Sequence, residues 1–212
     1  MNKEELQNLY LVQKKSAAEI GIKYKVSVSK VNYWLAKYSI PKRSISDGVY
    51  QKWNPSGDPF NYKEPKNFRD FFIFGLGLGL FWGEGNKRNK HSVKLGNTDP
   101  KLIKVFIKFL ENIFGVERRK FRFGLQVFND SNPKEAFNFW SKELGFPKNH
   151  FLPKVVVSKV RGDGTYKNKS KYGVLTVYVN NKKLKEQMTA LIENIREIGY
   201  YSDTLKVQQK PL

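Results

Sequence analysis

Residues 71–87 read FFIFGLGLGLFWGEGNK: thirteen apolar or glycine residues that stop at Glu84 and give way to bases. Four readings compete: a membrane span, a phosphate loop, a buried strand and a helix. The run is shorter than the roughly 20 apolar residues that cross a bilayer. A GxxxxGK[ST] phosphate loop needs a Gly-Lys-Ser/Thr triplet, and none follows; GxGxxG fails at Trp82. The GLGLGL alternation suits a strand, but glycine weakens a strand interior. Gly75, Gly79 and Gly83 recur every four residues, which sets them along one face of a helix where a second backbone can approach. Each glycine weakens an isolated helix by about 1 kcal/mol, so packing must compensate. The stretch therefore predicts two such helices lying against each other, with Glu84 at the end of each.

The rest of the composition narrows the partners. The 212 residues are 40% hydrophobic and 15% aromatic, enough for one or two domains with real cores. With no cysteine, disulfides and zinc-thiolate sites are excluded, in keeping with a reducing compartment. The N-terminus, MNKEELQNLY, lacks the apolar core of a signal peptide. A cytoplasmic, nucleoid-associated or organellar protein without a membrane span is the expectation. Thirty-nine Lys and Arg against 19 Asp and Glu give a net charge of +20. Such an excess points to a polyanion, because binding phosphates releases their counterions; the plain alternative is a soluble basic surface.

Near the N-terminus, Leu6, Leu9 and Tyr10 share one helical face. In SAAEIGIKYKVSVSKVNYWLAKYSI, residues 16–40, Ile20, Tyr24, Val26, Val31 and Trp34 are spaced for two short helices over a shared core. Gly21 is small where they touch, and Ser27 or Ser29 caps the second. The pattern resembles a helix-turn-helix of the recombinase or transposase type, with Lys25 standing where the turn often carries glycine. That resemblance implies a second helix in the major groove of double-stranded DNA, presenting Val28, Ser29, Asn32 and Tyr33 to base edges. Lys30 and Lys37 would contact phosphates. A trihelical cap or protein-interaction module has the same spacing. Residues 47–69, rich in NP, SG, DP and EP steps, read as a linker in which Trp53, Phe60 and Tyr62 pin parts to a surface.

Beyond Glu84, Lys87, Arg88, Lys90 and Lys94 follow with no acid among them. Thr98 or Asp99 before Pro100 opens a helix. KFRFGLQVF, residues 120–128, alternates: Phe121, Phe123, Leu125 and Val127 face inward, and Lys120, Arg122 and Gln126 face outward. Asn132 to Glu135 looks like a cap with a capping-box acid. PKVVVSKV and YGVLTVYVN read as strands joined by the turn-rich RGDGTYKNKSK, with Lys159 and Arg161 on the basic surface. A last helix carries Leu184, Met188, Leu191, Ile192 and Ile195, with Gly199 as its stop. The order is helix, strand, helix, strand, helix, two strands, helix: mixed α/β of the α+β kind. His91 and His150 have no matching ligand cluster; His91 reads as a DNA-facing or surface residue and His150 as a loop residue.

GLGLFWGEG, residues 77–85, resembles the signature of the LAGLIDADG homing endonucleases. Gly79, Gly83, Glu84 and Gly85 match it, Gly77 and Leu78 match loosely, and Trp82 stands where many members have an acid. The resemblance covers residues from about 70 to the end. It implies a helix-and-antiparallel-saddle domain over residues 70–212, preceded by an all-α domain over 1–46 and the 47–69 linker. One motif implies a homodimer joined through Gly75, Gly79 and Gly83. By the same resemblance Glu84 and the Gly83 carbonyl hold Mg²⁺, and Lys94 organises the attacking water, with Lys154 and Lys159 as other basic candidates. Lys87, Arg88, Lys90, Lys94, Lys120, Arg122, Gln126, Lys159 and Arg161 would lie along DNA. Two departures stand out: residues 86–97 hold one strand or a tight hairpin where the family usually has two strands, and the helix near 133–144 looks inserted. The expected function is site-specific, metal-dependent DNA cleavage. A non-catalytic transcription regulator and an RNA maturase are the alternatives.

Overall fold

The computed structural model describes residues 1–159 and 171–207, with side chains described as far as residue 197. The chain divides into two compact units, Met1–Asp58 and Pro59–Leu212.

The first unit is all helix. Helix α1 (Lys3–Gln7) runs on through one π-helical turn at Asn8–Val12. Helices α2 (Ala17–Tyr24), α3 (Val28–Lys37) and α4 (Ile45–Trp53) follow. Leu6, Leu9, Tyr10, Ile20, Val31, Leu35 and Ile40 form the core, with Tyr24, Val26 and Trp34 packed against it. Local chemistry fixes the helix starts. Ser16 and Glu19 make a full capping box on α2, and Ser27, not Ser29, caps α3 by accepting from the Lys30 amide. A Cβ on Gly21 would stand 2.8 Å from the Val26 carbonyl oxygen, so the turn between α2 and α3 needs its absence. Lys25 holds the left-handed position at φ 53°. The expected linker is interrupted by α4, which Ser44 caps despite the Gly48 within it. Arg43 ties α4 down: it stacks on Tyr10 and donates to the Lys14 carbonyl, the Lys15 carbonyl and the Gln51 side chain. Trp53 is 77% exposed and pins nothing.

The second unit is mixed α+β. Residues 61–63 lie along the end of the helix Pro100–Phe114: the Asn61 amide donates to the Phe114 carbonyl at 2.8 Å and that of Lys63 to Ile113 at 2.7 Å. Phe60 and Tyr62 pack on the core there, as expected. The elements are α5 (Phe68–Glu84), β1 (Val93–Asn97), α6 (Pro100–Phe114), β2 (Phe121–Phe128), α7 (Pro133–Leu144), β3 (Val156–Ser158), β4 (Val174–Val179) and α8 (Lys182–Val207). Their order is the one read from the sequence.

The sheet runs β1-β4-β2-β3. β4 pairs antiparallel with both β1 and β2, but β3 is parallel to β2. The fully antiparallel saddle expected from the family resemblance is corrected at this edge. The chain crosses back through α7 between β2 and β3, so β3 re-enters in the same direction. One sheet face is buried by Val93, Leu95, Phe121, Phe123, Leu125, Val127, Leu175, Val177 and Val179, beneath the aromatic interior of α5, α6 and α7. Asp99, with Pro100 behind it, caps α6. Helix α7 anchors the start of β4, with Trp140 donating to the Tyr172 carbonyl and Phe139 stacked on the Tyr172 ring. Gly199 does not stop α8, which continues to Val207. A single interior glycine weakens a helix by only about 1 kcal/mol. Among the described residues no helix is long and apolar enough to cross a membrane.

Candidate carboxylate site and nucleic-acid interface

The decisive stretch is a helix, and its glycines divide between two faces. Asn67 caps α5 by accepting from the Asp70 amide. On the inner face Gly77, Leu78 and Phe81 are buried. A Cβ on Gly77 would overlap the Phe109 ring, so that side chain of α6 lies directly against the α5 backbone. On the outer face, Gly75, Gly79 and Gly83 are exposed and a Cβ on any of them would meet nothing within 4 Å. The same surface carries exposed Phe72 and Leu76, with Phe68 at 86% exposure beyond them. Phe68 and Phe72 stack on each other.

Glu84 is the last residue of α5 and is exposed. The chain turns sharply at Gly85, whose amide donates to the Phe81 carbonyl and which bridges to Leu95. The Asn86 amide donates to the Lys94 carbonyl at 2.9 Å. This tight hairpin leaves a single strand in residues 86–97 and brings Lys94 back beside the helix end. The intervening loop is built by two asparagines. Asn86 accepts from the Asn89 amide, and Asn89 accepts from the His91 and Ser92 amides and the Ser92 hydroxyl. Lys87, Arg88 and Lys90 project from it, exposed, as does His91.

A divalent ion would suit this place in part. Mg²⁺ takes one or two carboxylates and fills its remaining positions with water and phosphate oxygens. Glu84 supplies one exposed carboxylate at the negative end of a helix. The Gly83 carbonyl, expected as a second ligand, accepts from the Lys87 ammonium at 3.2 Å. Among the described residues no group of three or more His, Asp or Glu gathers. Among the described residues the site offers an ion one carboxylate, with Lys87 as the competing cation.

The open face of the sheet is polar and basic. Lys94 on β1, Tyr178 on β4 and Arg122 on β2 lie in one cross-strand row. The Lys94 ammonium is 5.0 Å from the Tyr178 ring centre. The next row is Gly96, Thr176 and Gly124. Gln126 donates to the Ser158 hydroxyl at 2.8 Å. Lys120 ends the short turn before β2, and Lys154 and Lys159 are exposed. Lys159 follows β3, on the sheet edge opposite β1, so it is not gathered with Glu84 and Lys94. Arg161 lies outside the described residues.

In the first unit Val28, Ser29, Lys30, Tyr33 and Lys37 are exposed on α3, and Asn32 is half-buried. The Lys30 ammonium sits 5.3 Å from the Tyr33 ring and 5.7 Å from that of Trp34.

Three residues of the second unit escaped the sequence reading. Tyr178 was legible, since alternation with Val177 and Val179 puts it on the open face. Asn89 shows no signal beyond its place in a basic loop. Lys185 precedes Met188 and Ile192 at helical spacing, which marks it for the apolar face of α8. Comparison of the chain with protein-family models, curated proteins and solved structures finds no match in any of the three.

Proposed function

We propose that this chain is a homodimeric, Mg²⁺-dependent, site-specific DNA endonuclease of the LAGLIDADG type, whose N-terminal helices extend the recognised site. The observation that carries the reading is the outer face of α5: an open glycine stripe that ends on an exposed carboxylate. Two such helices in contact at Gly75, Gly79 and Gly83 bring two Glu84 carboxylates together. The row of Lys94, Tyr178 and Arg122 supports the same reading, because two cations and a tyrosine hydroxyl suit a phosphate backbone.

In this proposal Glu84 and the Gly83 carbonyl, which accepts from Lys87 here, would hold the ion. Mg²⁺ supplies charge stabilisation at the phosphate and a more acidic water. Lys94 would orient the attacking water, and Lys87, Arg88 and Lys90 would hold the flanking phosphates. On α3, Val28, Ser29, Asn32 and Tyr33 meet bases while Lys30 and Lys37 hold phosphates.

A second reading, a regulator that binds DNA without cutting it, is favoured by the Lys87 ammonium already resting on the Gly83 carbonyl. The test is incubation with a library of duplex targets and Mg²⁺, comparing the native chain with Glu84→Gln. Cutting that drops by at least about a hundredfold in the variant supports the nuclease, since removing transition-state charge stabilisation has that scale. Selective binding without nicking moves the assignment to the regulator, and preference for structured RNA moves it to a maturase.

A further inference from the structure

Lys185 is 4% exposed, and among the described residues no other charged side chain is so buried. It lies in the first turn of α8. Its ammonium donates to the Asn86 carbonyl at 3.0 Å and stands 4.5 Å from the centre of the Phe81 ring. No carboxylate pairs with it among the described residues. Burial first, and then the neighbouring Lys87 ammonium, push its pKa below the ordinary lysine value.

As a stability element this is a poor arrangement. The start of a helix already carries positive partial charge. A buried ion without a counter-ion loses hydration that a single carbonyl and a ring restore only in part. Methionine or leucine would fill the same space without that loss.

What the ammonium touches gives it another role. Phe81 is three residues before Glu84, and its carbonyl accepts from Gly85. Asn86 is two residues after Glu84, and its amide bonds to the Lys94 carbonyl while its side chain accepts from Asn89. The two contacts of Lys185 therefore bracket the carboxylate. We propose that Lys185 is a positioning residue, which clamps the helix exit between Phe81 and Asn86 and so fixes the direction of Glu84 and the backbone at Lys94. The inference rests on the reading of Glu84 as the functional carboxylate.

The test replaces Lys185 by Met, which keeps the packing stem and removes the ammonium. Three measurements on the full chain apply: thermal unfolding, exchange of the Asn86 amide hydrogen, and Mn²⁺ affinity by electron paramagnetic resonance. The expected result is an unchanged or higher melting temperature, Asn86 exchange faster by about fivefold or more, and Mn²⁺ affinity lower by about tenfold. Unchanged Asn86 exchange in a folded variant overturns the proposal, as does a lowered melting temperature with no local change. If Lys185→Met does not fold, Lys185→Gln retains a donor for Asn86 and should restore folding with intermediate exchange; its failure also overturns the proposal. The Glu84 reading fails separately. In that case the native chain and Glu84→Gln bind Mn²⁺ alike, while Lys185→Met still accelerates Asn86 exchange, which keeps the clamp and removes its catalytic purpose.

Discussion

Helix α5 carries the same residue type on two faces with opposite consequences. Gly77, facing inward, is where the Phe109 ring lies against the backbone. Gly75, Gly79 and Gly83, facing outward, meet nothing. All of them weaken the helix intrinsically. Among the described residues only Gly77 recovers that loss, through contact with α6. The outer glycines, together with exposed Phe68, Phe72 and Leu76, leave a helix face that is open among the described residues. A second copy is the partner that the proposed function assigns.

The largest effect should come from filling the inner gap. Gly77→Ala places a methyl into the Phe109 ring and should destabilise the second unit by about 2–3 kcal/mol, as overpacking does, read from urea unfolding. A stability loss below the helix-propensity gain would break the contrast between the faces. The outer face should respond the other way. Gly79→Ala is expected to stabilise the isolated chain by up to about 1 kcal/mol, with self-association in sedimentation weakened about tenfold or more. Association that is untouched by Gly79→Ala would remove the outer stripe from the interface.

The first unit offers a smaller test of the same logic, at a position that calls for glycine and lacks it. Lys25 sits at φ 53°, where a side chain costs about 1 kcal/mol. Lys25→Gly should raise the melting temperature of that unit by a few degrees, the greater freedom of glycine in the unfolded chain offsetting part of the gain. Nearby, Gly21→Ala would meet the Val26 carbonyl, so the two changes should have opposite signs.

The smallest expected effect lies under the inner face, at Lys185. Its folded pKa is depressed, so the unfolded chain holds the proton more tightly. The penalty is complete below the folded pKa and fades as pH rises toward the ordinary value of 10.5. Stability should therefore climb with pH by an amount that Lys185→Met abolishes, measured as the difference between the two proteins from pH 7 to 10.5.

Much of the second unit was legible because local patterns reflect backbone geometry. The four-residue glycine spacing gave a helix ending at Glu84, the alternation in residues 121–127 gave β2 and its buried face, and Asp99 before Pro100 gave the start of α6. The reading failed where a longer contact decided. Turn-rich dipeptides suggested a linker, yet Arg43 anchors α4 through groups near residues 10, 14 and 15. The three residues of β3 cannot reveal that they pair parallel with β2, since that depends on the crossover through α7. Within the site, Glu84 and its basic loop were readable as a sequence motif. The bond from Lys185 to Asn86 was not, because it joins residues 99 positions apart.

By itself, the sequence determined the periodicities, the caps and the basic balance, because each depends on neighbouring residues or on their sum. Tertiary structure alone decided which glycine touches Phe109, which lysine is buried beneath the helix end, and that Tyr178 lies between Lys94 and Arg122. Those outcomes depend on the pairing of distant segments, where packing and strand register select among side chains that local chemistry leaves equivalent.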